Sequence, residues 1–283
     1  MKLATVAWGQ EQRWGVVEDE CIRLAPEGEA GTLAAQIASG SALPKPADWP
    51  AVALADVELL APLPEPRRNV ICLGLNYADH AAEVQGVAPK DAELPSDPMF
   101  FTKATTTING PRSAVVLDER VTRRLDWEVE LAFIIGRGGR FIPADEAMAY
   151  VFGYTVFNDL SARDLQKRHQ QFFLGKSVDG SAPMGPWIVT PEEIPDPHAL
   201  DLSCTVNGVT KQASNTRQLI FGVAQIIEIL SRAMTLMPGD IIATGTPGGV
   251  GFARTPREFL QSGDEVTCWI DGIGSLENRV VAA

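Results

Sequence analysis

The chain has 283 residues, 45% of them apolar and 21% charged, with a formal net charge of −12. That length suits one large domain or a main domain with a small companion, and the apolar share supports a sizeable core. So acidic a chain matches neither nucleic acid nor an anionic membrane, and neither is an expected partner; a small anionic substrate stays open, because a metal and a few cations set a local field.

Cys21, Cys72, Cys204 and Cys268 lie far apart, with no Cys-x-x-Cys pair. This usage fits buried free thiols in a reducing compartment better than a zinc site or a disulfide frame. No early apolar run has the length of a signal or a membrane span, so a soluble cytoplasmic protein is expected.

Residues 2–8, 13–17 and 21–24 read as three short strands, followed by a weak helix over 32–39 and a Pro-rich passage to Pro50. Alternating prolines at Pro62, Pro64 and Pro66 forbid helix and favour an extended linker. They place a small β-rich N-terminal module at 1–66 and the main domain at 67–283.

Val70–Gly74 reads as a buried strand, and Asn76–Glu83 as a helix with Asn76 as its N-cap. His80 and Glu83 then share one helix face. With the polar loop 86–98 behind it, this helix could serve as a lid, or be an ordinary surface helix with a His–Glu contact. Met99–Lys103 is another strand, before the turn Asn109-Gly110-Pro111.

The stretch Asp126–Ile135 alternates acid with apolar before turning wholly apolar. As a strand it points Trp127, Val129 and Leu131 one way and Asp126, Glu128 and Glu130 the other. Same-face neighbours lie about 7 Å apart, so these carboxylates repel unless water or a cation intervenes. Either the strand is a solvated edge, or a hard divalent ion such as Mg²⁺ or Mn²⁺ takes the oxygens. Gly136–Arg140 lacks the spacing of a phosphate-binding loop.

A short helix over 145–150 and a strand over 151–157 follow, the strand delivering Asn158-Asp159 at its end. Asp159 could be a third carboxylate ligand, or it or Ser161 could cap the helix beginning near Ala162. Arg163 and Gln166 share a face of that helix; Arg163 could grip a carboxylate bidentately, or the pair could be solvated. Lys176 sits in a turn after Gly175, an ordinary place for a solvated lysine. Asn207-Gly208 marks a hairpin. Leu219, Ile220, Val223, Ile226, Ile227 and Leu230 follow helical spacing and mark a core helix. After the turn at 237–240, the buried strand 241–244 opens into Gly245–Gly251, whose glycines let backbone approach a ligand. A second hairpin, 265–270 with 275–281, completes the pattern.

Five of these segments, in this order, resemble the fumarylacetoacetate hydrolase family, in its acylpyruvase, oxaloacetate decarboxylase and diene-dioate isomerase branch. They are Gly74-Leu75-Asn76-Tyr77 with His80 and Glu83; Asp126-Trp127-Glu128-Val129-Glu130; Asn158-Asp159 with Ser161–Asp164 and Gln166; Gly175-Lys176; and Thr244–Pro247 with Gly249-Val250-Gly251. The resemblance implies an α+β fold, a mixed β-sandwich-like roll, usually a homodimer. It implies Mg²⁺ or Mn²⁺ on Glu128, Glu130 and Asp159, with Asp126 an additional acid. It implies His80 and Glu83 as a catalytic dyad on a closing lid, and Lys176, Arg163, Gln166 and Thr246 as holding the substrate's carboxylate and oxo groups. Lys103 has a supporting charge.

The activity so implied is hydrolysis of the C–C bond of an acylpyruvate-like 2,4-dioxo acid through a metal-bound enolate, with His80 activating water. Alternatives are decarboxylation of oxaloacetate, isomerisation or dehydration of a 2-hydroxydienoate or 2-keto-3-deoxy sugar acid, and non-catalytic binding of a small 2-oxo acid. The loops 86–98 and 112–124 choose the substrate's tail. Arg112, Arg120, Arg123 and Arg124 either face a distal carboxylate or form a solvated patch.

Overall fold

The computed structural model describes residues 1–26, 31–44 and 46–283. Its frame is a mixed sheet built around Val129–Ile135, which pairs antiparallel with Val151–Asn158 on one side and Ile241–Ala243 on the other. Outward from there the sheet continues through Val70–Gly74, joined in parallel, to Met99–Lys103, and on the other flank through Ala182–Val189. A second sheet, Val209–Asn215, Asp201–Val206, Glu265–Ile270, Gly274–Ala282 and Val115–Leu117, packs against the first in an α+β sandwich.

Alternation along the central strand explains why it is central. Val129, Leu131, Phe133 and Ile135 enter the core shared with the second sheet, while Ala132 and Ile134 face a second core built with Leu3, Trp14, Leu33 and Ile37. A strand covered on both faces is wholly buried, and this one is. The solvated-edge alternative for Asp126–Ile135 is therefore excluded. Glu130 is fully buried within this strand, where an uncompensated charge is costly.

The first strand, Lys2–Trp8, pairs with Ala182–Val189, so the sheet continues unbroken across residue 66. The Pro-rich passage is packed beneath it: Ala61 and Leu63 are buried, and Thr5 Oγ1 donates to Pro62 O at 2.7 Å. Asn76 does not cap the following helix. That helix spans Ala78–Gln85 with Tyr77 at its N-cap, and the Asn76 amide instead holds Phe221 N, Phe221 O and Thr244 O. The core helix is Val223–Ala233, so Leu219 and Ile220 precede it, with Leu219 in a β-bridge to Tyr77. Three of the cysteines are buried and unpaired, but Cys21 is exposed. Among the described residues no helix is long and apolar enough to cross a membrane.

Candidate active site

Strand register creates the acidic centre. Val129 pairs with Asn158, which places Asp159 beside Glu128: Asp159 N donates to Glu128 O at 2.9 Å, and Glu128 N to Asn158 Oδ1 at 3.1 Å. Glu128 occupies the break between the short strand Leu125–Asp126 and Val129–Ile135. Oxygens of Glu128, Glu130 and Asp159 lie within 4.8 Å of one another, and all three residues are buried.

Their environments differ. Glu130 Oε2 accepts from Gly245 N at 2.8 Å, while Glu130 Oε1 is buried with no hydrogen-bond partner. Burial, then Asp159 and Glu128, push the Glu130 pKa well above the ordinary carboxylate range. Burial also works against the Glu128 carboxylate, but Lys176 and Arg163 outweigh it and pull its pKa down to about 2. An orphaned carboxylate oxygen inside a cluster of hard oxygen donors is what a hard divalent cation satisfies, so the residues fit Mg²⁺ or Mn²⁺.

Two buried lysines and a partly buried arginine surround this centre. Lys176 Nζ donates to Glu128 Oε2 at 2.6 Å and Asp159 Oδ2 at 2.7 Å. Lys103 Nζ lies 2.8 Å from Asp159 Oδ1 and donates to Leu160 O at 3.0 Å. Arg163 Nη2 lies 2.6 Å from Glu128 Oε1, and Arg163 Nη1 donates to Gln166 Oε1 at 3.1 Å. Burial disfavours the charged forms of Lys176 and Arg163, but the acids beside them hold both pKa values above the ordinary range. The solvated-face alternatives for Arg163, Gln166 and Lys176 are thus overturned, because paired acids draw these side chains inward. Neither Asp159 nor Ser161 caps the helix Arg163–Arg168 with its side chain. Gly175 permits the close approach: a Cβ there would lie 2.5 Å from Gln166 N.

Asp126 is fully buried but stands apart from the triad. It accepts from Arg163 Nε at 2.8 Å, Trp127 N at 2.9 Å, Gly251 N at 2.7 Å and Phe252 N at 3.0 Å. One carboxylate thus ties Arg163 to the glycine-rich loop.

His80 and Glu83 lie one helical turn apart, with His80 Nδ1 3.1 Å from Glu83 Oε2. Gly249 N donates to Glu83 Oε1 at 2.8 Å, and Asp79 accepts from Ser214 Oγ at 2.6 Å and Gly248 N at 3.3 Å. The helix is latched onto the loop 245–251, so it is packed against that loop rather than free on the surface. Thr246 Oγ1 donates to Val129 O at 2.9 Å and accepts from Gln212 Nε2 at 2.8 Å.

A cavity of about 360 Å³ opens onto these groups, lined by His80, Glu128, Arg163, Gln166, Lys176 and Thr246. Glu83 backs His80, and Glu130 and Asp159 stand behind Glu128. Its outer walls carry Phe252, Phe259, Arg124 and Arg257. Sequence reasoning gave no role to Phe252, Phe259, Arg257 or Gln212. The 252–259 segment carries no periodic signal, and Gln212 resembles any strand glutamine.

The profile of the fumarylacetoacetate (FAA) hydrolase C-terminal region matches residues 69–281. The chain belongs to the fumarylacetoacetate hydrolase family. Within that family it is 48% identical over 227 residues to the oxaloacetate tautomerase YisK of Bacillus subtilis, covering 80% of this chain and 74% of that protein. It is 45% identical over 236 residues to the mitochondrial oxaloacetate tautomerase Fahd2a of Rattus norvegicus, covering 83% of this chain and 73% of that one. Among solved structures, a fumarylacetoacetate hydrolase from Exiguobacterium antarcticum superposes with a TM-score of 0.92 at 40% identity, over 100% of both chains. A 5-carboxymethyl-2-hydroxymuconate delta-isomerase from Mycobacterium smegmatis superposes at 0.81 with 34% identity, again over 100% of both. The chain is an enzyme of this family.

Proposed function

We propose that the protein catalyses proton transfer between C3 and the 2-oxo oxygen of a small 2-oxo acid, with oxaloacetate the first candidate. The observation that carries this is a single oriented base over an acidic centre: Glu83 occupies His80 Nδ1, leaving Nε2 for the cavity that His80 lines. Tautomerisation needs one such base and no water nucleophile. The relatives named as tautomerases support this reading over the hydrolytic C–C cleavage expected from the sequence.

Glu128, Glu130 and Asp159 would hold Mg²⁺ or Mn²⁺, which supplies Lewis-acid stabilisation of charge on a carbonyl oxygen. The protein's own groups do the rest. Arg163 keeps an N–H on Nη1 beyond its contacts with Asp126, Gln166 and Glu128, a donor for a substrate carboxylate. Lys176 has a third ammonium hydrogen to offer the oxygen that gains charge. His80 Nε2 takes the C3 proton, the C3–H electron pair forms the C2–C3 double bond, and the imidazolium delivers the proton to the 2-oxo oxygen, while Glu83 fixes the tautomer and steadies the imidazolium. A homodimer in a reducing, cytoplasmic setting completes the proposal, supported for the compartment by three buried unpaired thiols.

Exchange of the C3 hydrogens of oxaloacetate with solvent deuterium, followed by NMR, tests it alongside pyruvate release. The expected result is exchange above the uncatalysed rate with Mg²⁺, lost in chelator, without matching pyruvate formation. Cleavage of an acylpyruvate with no accelerated exchange on oxaloacetate refutes it.

A further inference from the structure

We propose that Arg124 and Arg257 form a subsite for a second, distal carboxylate, so that the cavity selects 2-oxo diacids over 2-oxo monoacids. This rests on the reading of the cavity as a 2-oxo acid site.

The cavity is electrostatically opposite to the molecule around it. The chain carries a net charge of −12, yet the cavity is lined by Arg124, Arg163, Lys167, Lys176 and Arg257, against one acid, Glu128. Arg163 and Lys176 are engaged by the acidic centre, whereas Arg124, Lys167 and Arg257 stand at the mouth. A cleft of one sign in a molecule of the other concentrates its counter-ion there.

Neighbouring arginines are spoken for. Arg120 closes on Asp118 at 2.6 Å, Arg123 lies 3.2 Å from Glu119, and Arg254 Nη2 donates to Lys211 O at 2.7 Å. Among the described residues, the guanidinium groups of Arg124 and Arg257 contact no carboxylate. Each lies over a ring instead: Arg124 Cζ is 6.0 Å from the Phe259 centroid, and Arg257 Cζ is 5.5 Å from that of Phe252. Stacking restrains a guanidinium while leaving its donors free, so less freedom is lost when an anion binds.

The two arginines come from segments fastened to each other and to the inner site. Leu260 N donates to Leu125 O at 2.8 Å, and Arg163 N to Arg124 O at 3.0 Å. Phe252 links the two ends of the cavity: its centroid lies 5.3 Å from Arg163 Cζ and 5.5 Å from Arg257 Cζ. Arg163 at the inner end and Arg257 at the outer end thus lie against one and the same ring. That arrangement suits a molecule with a carboxylate at each end and an apolar stretch lying against Phe101, Phe172 and Phe252, which line the walls.

The test is calorimetric binding of length-matched pairs of 2-oxo acids, with and without a terminal carboxylate, to Mg²⁺-loaded protein. The diacid should bind more tightly to the parent protein. The double substitution Arg124→Gln with Arg257→Gln should reduce the diacid/monoacid preference about ten- to a hundredfold, the range for losing hydrogen bonds to a charged group. Arg120→Gln, which removes one positive charge from a neighbouring surface loop, should leave that preference intact. No diacid preference in the parent, or an equal preference in the double variant, overturns the subsite. Deuterium exchange on the same compounds keeps the two readings apart. A preference lost in the variant without any exchange leaves the subsite standing and fells the enolisation reading; exchange with an unaltered preference does the reverse.

Discussion

Replacing Asp126 with Asn removes one charge and almost no volume, at a residue that touches neither the acidic triad nor the cavity. Asp126 Oδ1 accepts from Trp127 N at 2.9 Å and Gly251 N at 2.7 Å; Oδ2 accepts from Arg163 Nε at 2.8 Å and Phe252 N at 3.0 Å. Whichever way the Asn amide turns, its NH₂ faces two N–H donors, so two bonds are lost and two donors oppose a third. If the NH₂ faces Trp127 and Gly251, two neutral bonds go and the Arg163 bond loses its ionic character. If it faces Arg163, a charge-assisted bond is lost outright. At about 1 kcal/mol for a neutral bond and 1.5–3 for a charged one, the loss is about 3 kcal/mol, at the low end for opening a buried ion pair. Burial already raises the Asp126 pKa despite Arg163, so the native charge itself carries a desolvation cost and the upper end of that range is not expected. A domain stable by about 5–15 kcal/mol still folds after such a loss. Equilibrium urea unfolding, read by tryptophan fluorescence, should give a destabilisation of about 3 kcal/mol, and Arg163, freed on one side, should raise KM more than it lowers kcat. A loss under about 0.5 kcal/mol, the level of an inconsequential surface change, would refute the reasoning.

His80→Gln keeps a polar side chain but no base that can take up a proton near neutrality; C3 exchange should fall about 10²–10⁴-fold while Mn²⁺ binding persists, and undiminished exchange would remove His80 from the chemistry. Glu130→Gln should weaken Mn²⁺ binding strongly in titrations followed by calorimetry or electron paramagnetic resonance, because it replaces the one carboxylate whose Oε1 has no other partner; unchanged affinity would dismiss the triad as the ion's seat.

What could be read from the sequence was what period and local chemistry encode. The alternation in Asp126–Ile135 gave the two faces of the central strand, and Asn207-Gly208 gave its hairpin, with φ of 52° and 74° as such a turn requires. The wholly apolar run that follows the acids pointed to an acidic face near the interior, and the strand is buried on both faces; which strands flank it was not legible. The same lack of partners explains the misplaced ends: Asn76 has the side chain of an N-cap, but the Phe221 backbone competes for it successfully. Leu219 continues the spacing of the core helix, yet Gly222 stands where that helix begins. Lys176 and Arg163 look like surface residues until Glu128 and Asp159 are brought beside them. The resemblance to a family, more than any spacing rule, singled them out. Arg257 and Phe259 had neither period nor motif, and their place at the mouth is set by contacts distant in sequence, among them Leu260 N to Leu125 O and Lys211 Nζ to Glu258 Oε2.

The charges of the inner site suggest why its parts belong together. Asp126, Glu128, Glu130 and Asp159, all buried, face the buried Lys103 and Lys176 and the partly buried Arg163, so the formal balance is one negative charge too many. In a medium of low polarity that excess is costly, and the raised pKa of Glu130 is its expression. A dication would reverse the sign of the pocket floor and satisfy the orphaned oxygen. With the ion in place the pocket floor would add its attraction for an anion to that of the cations lining the cavity, so anion affinity rises when the ion is bound.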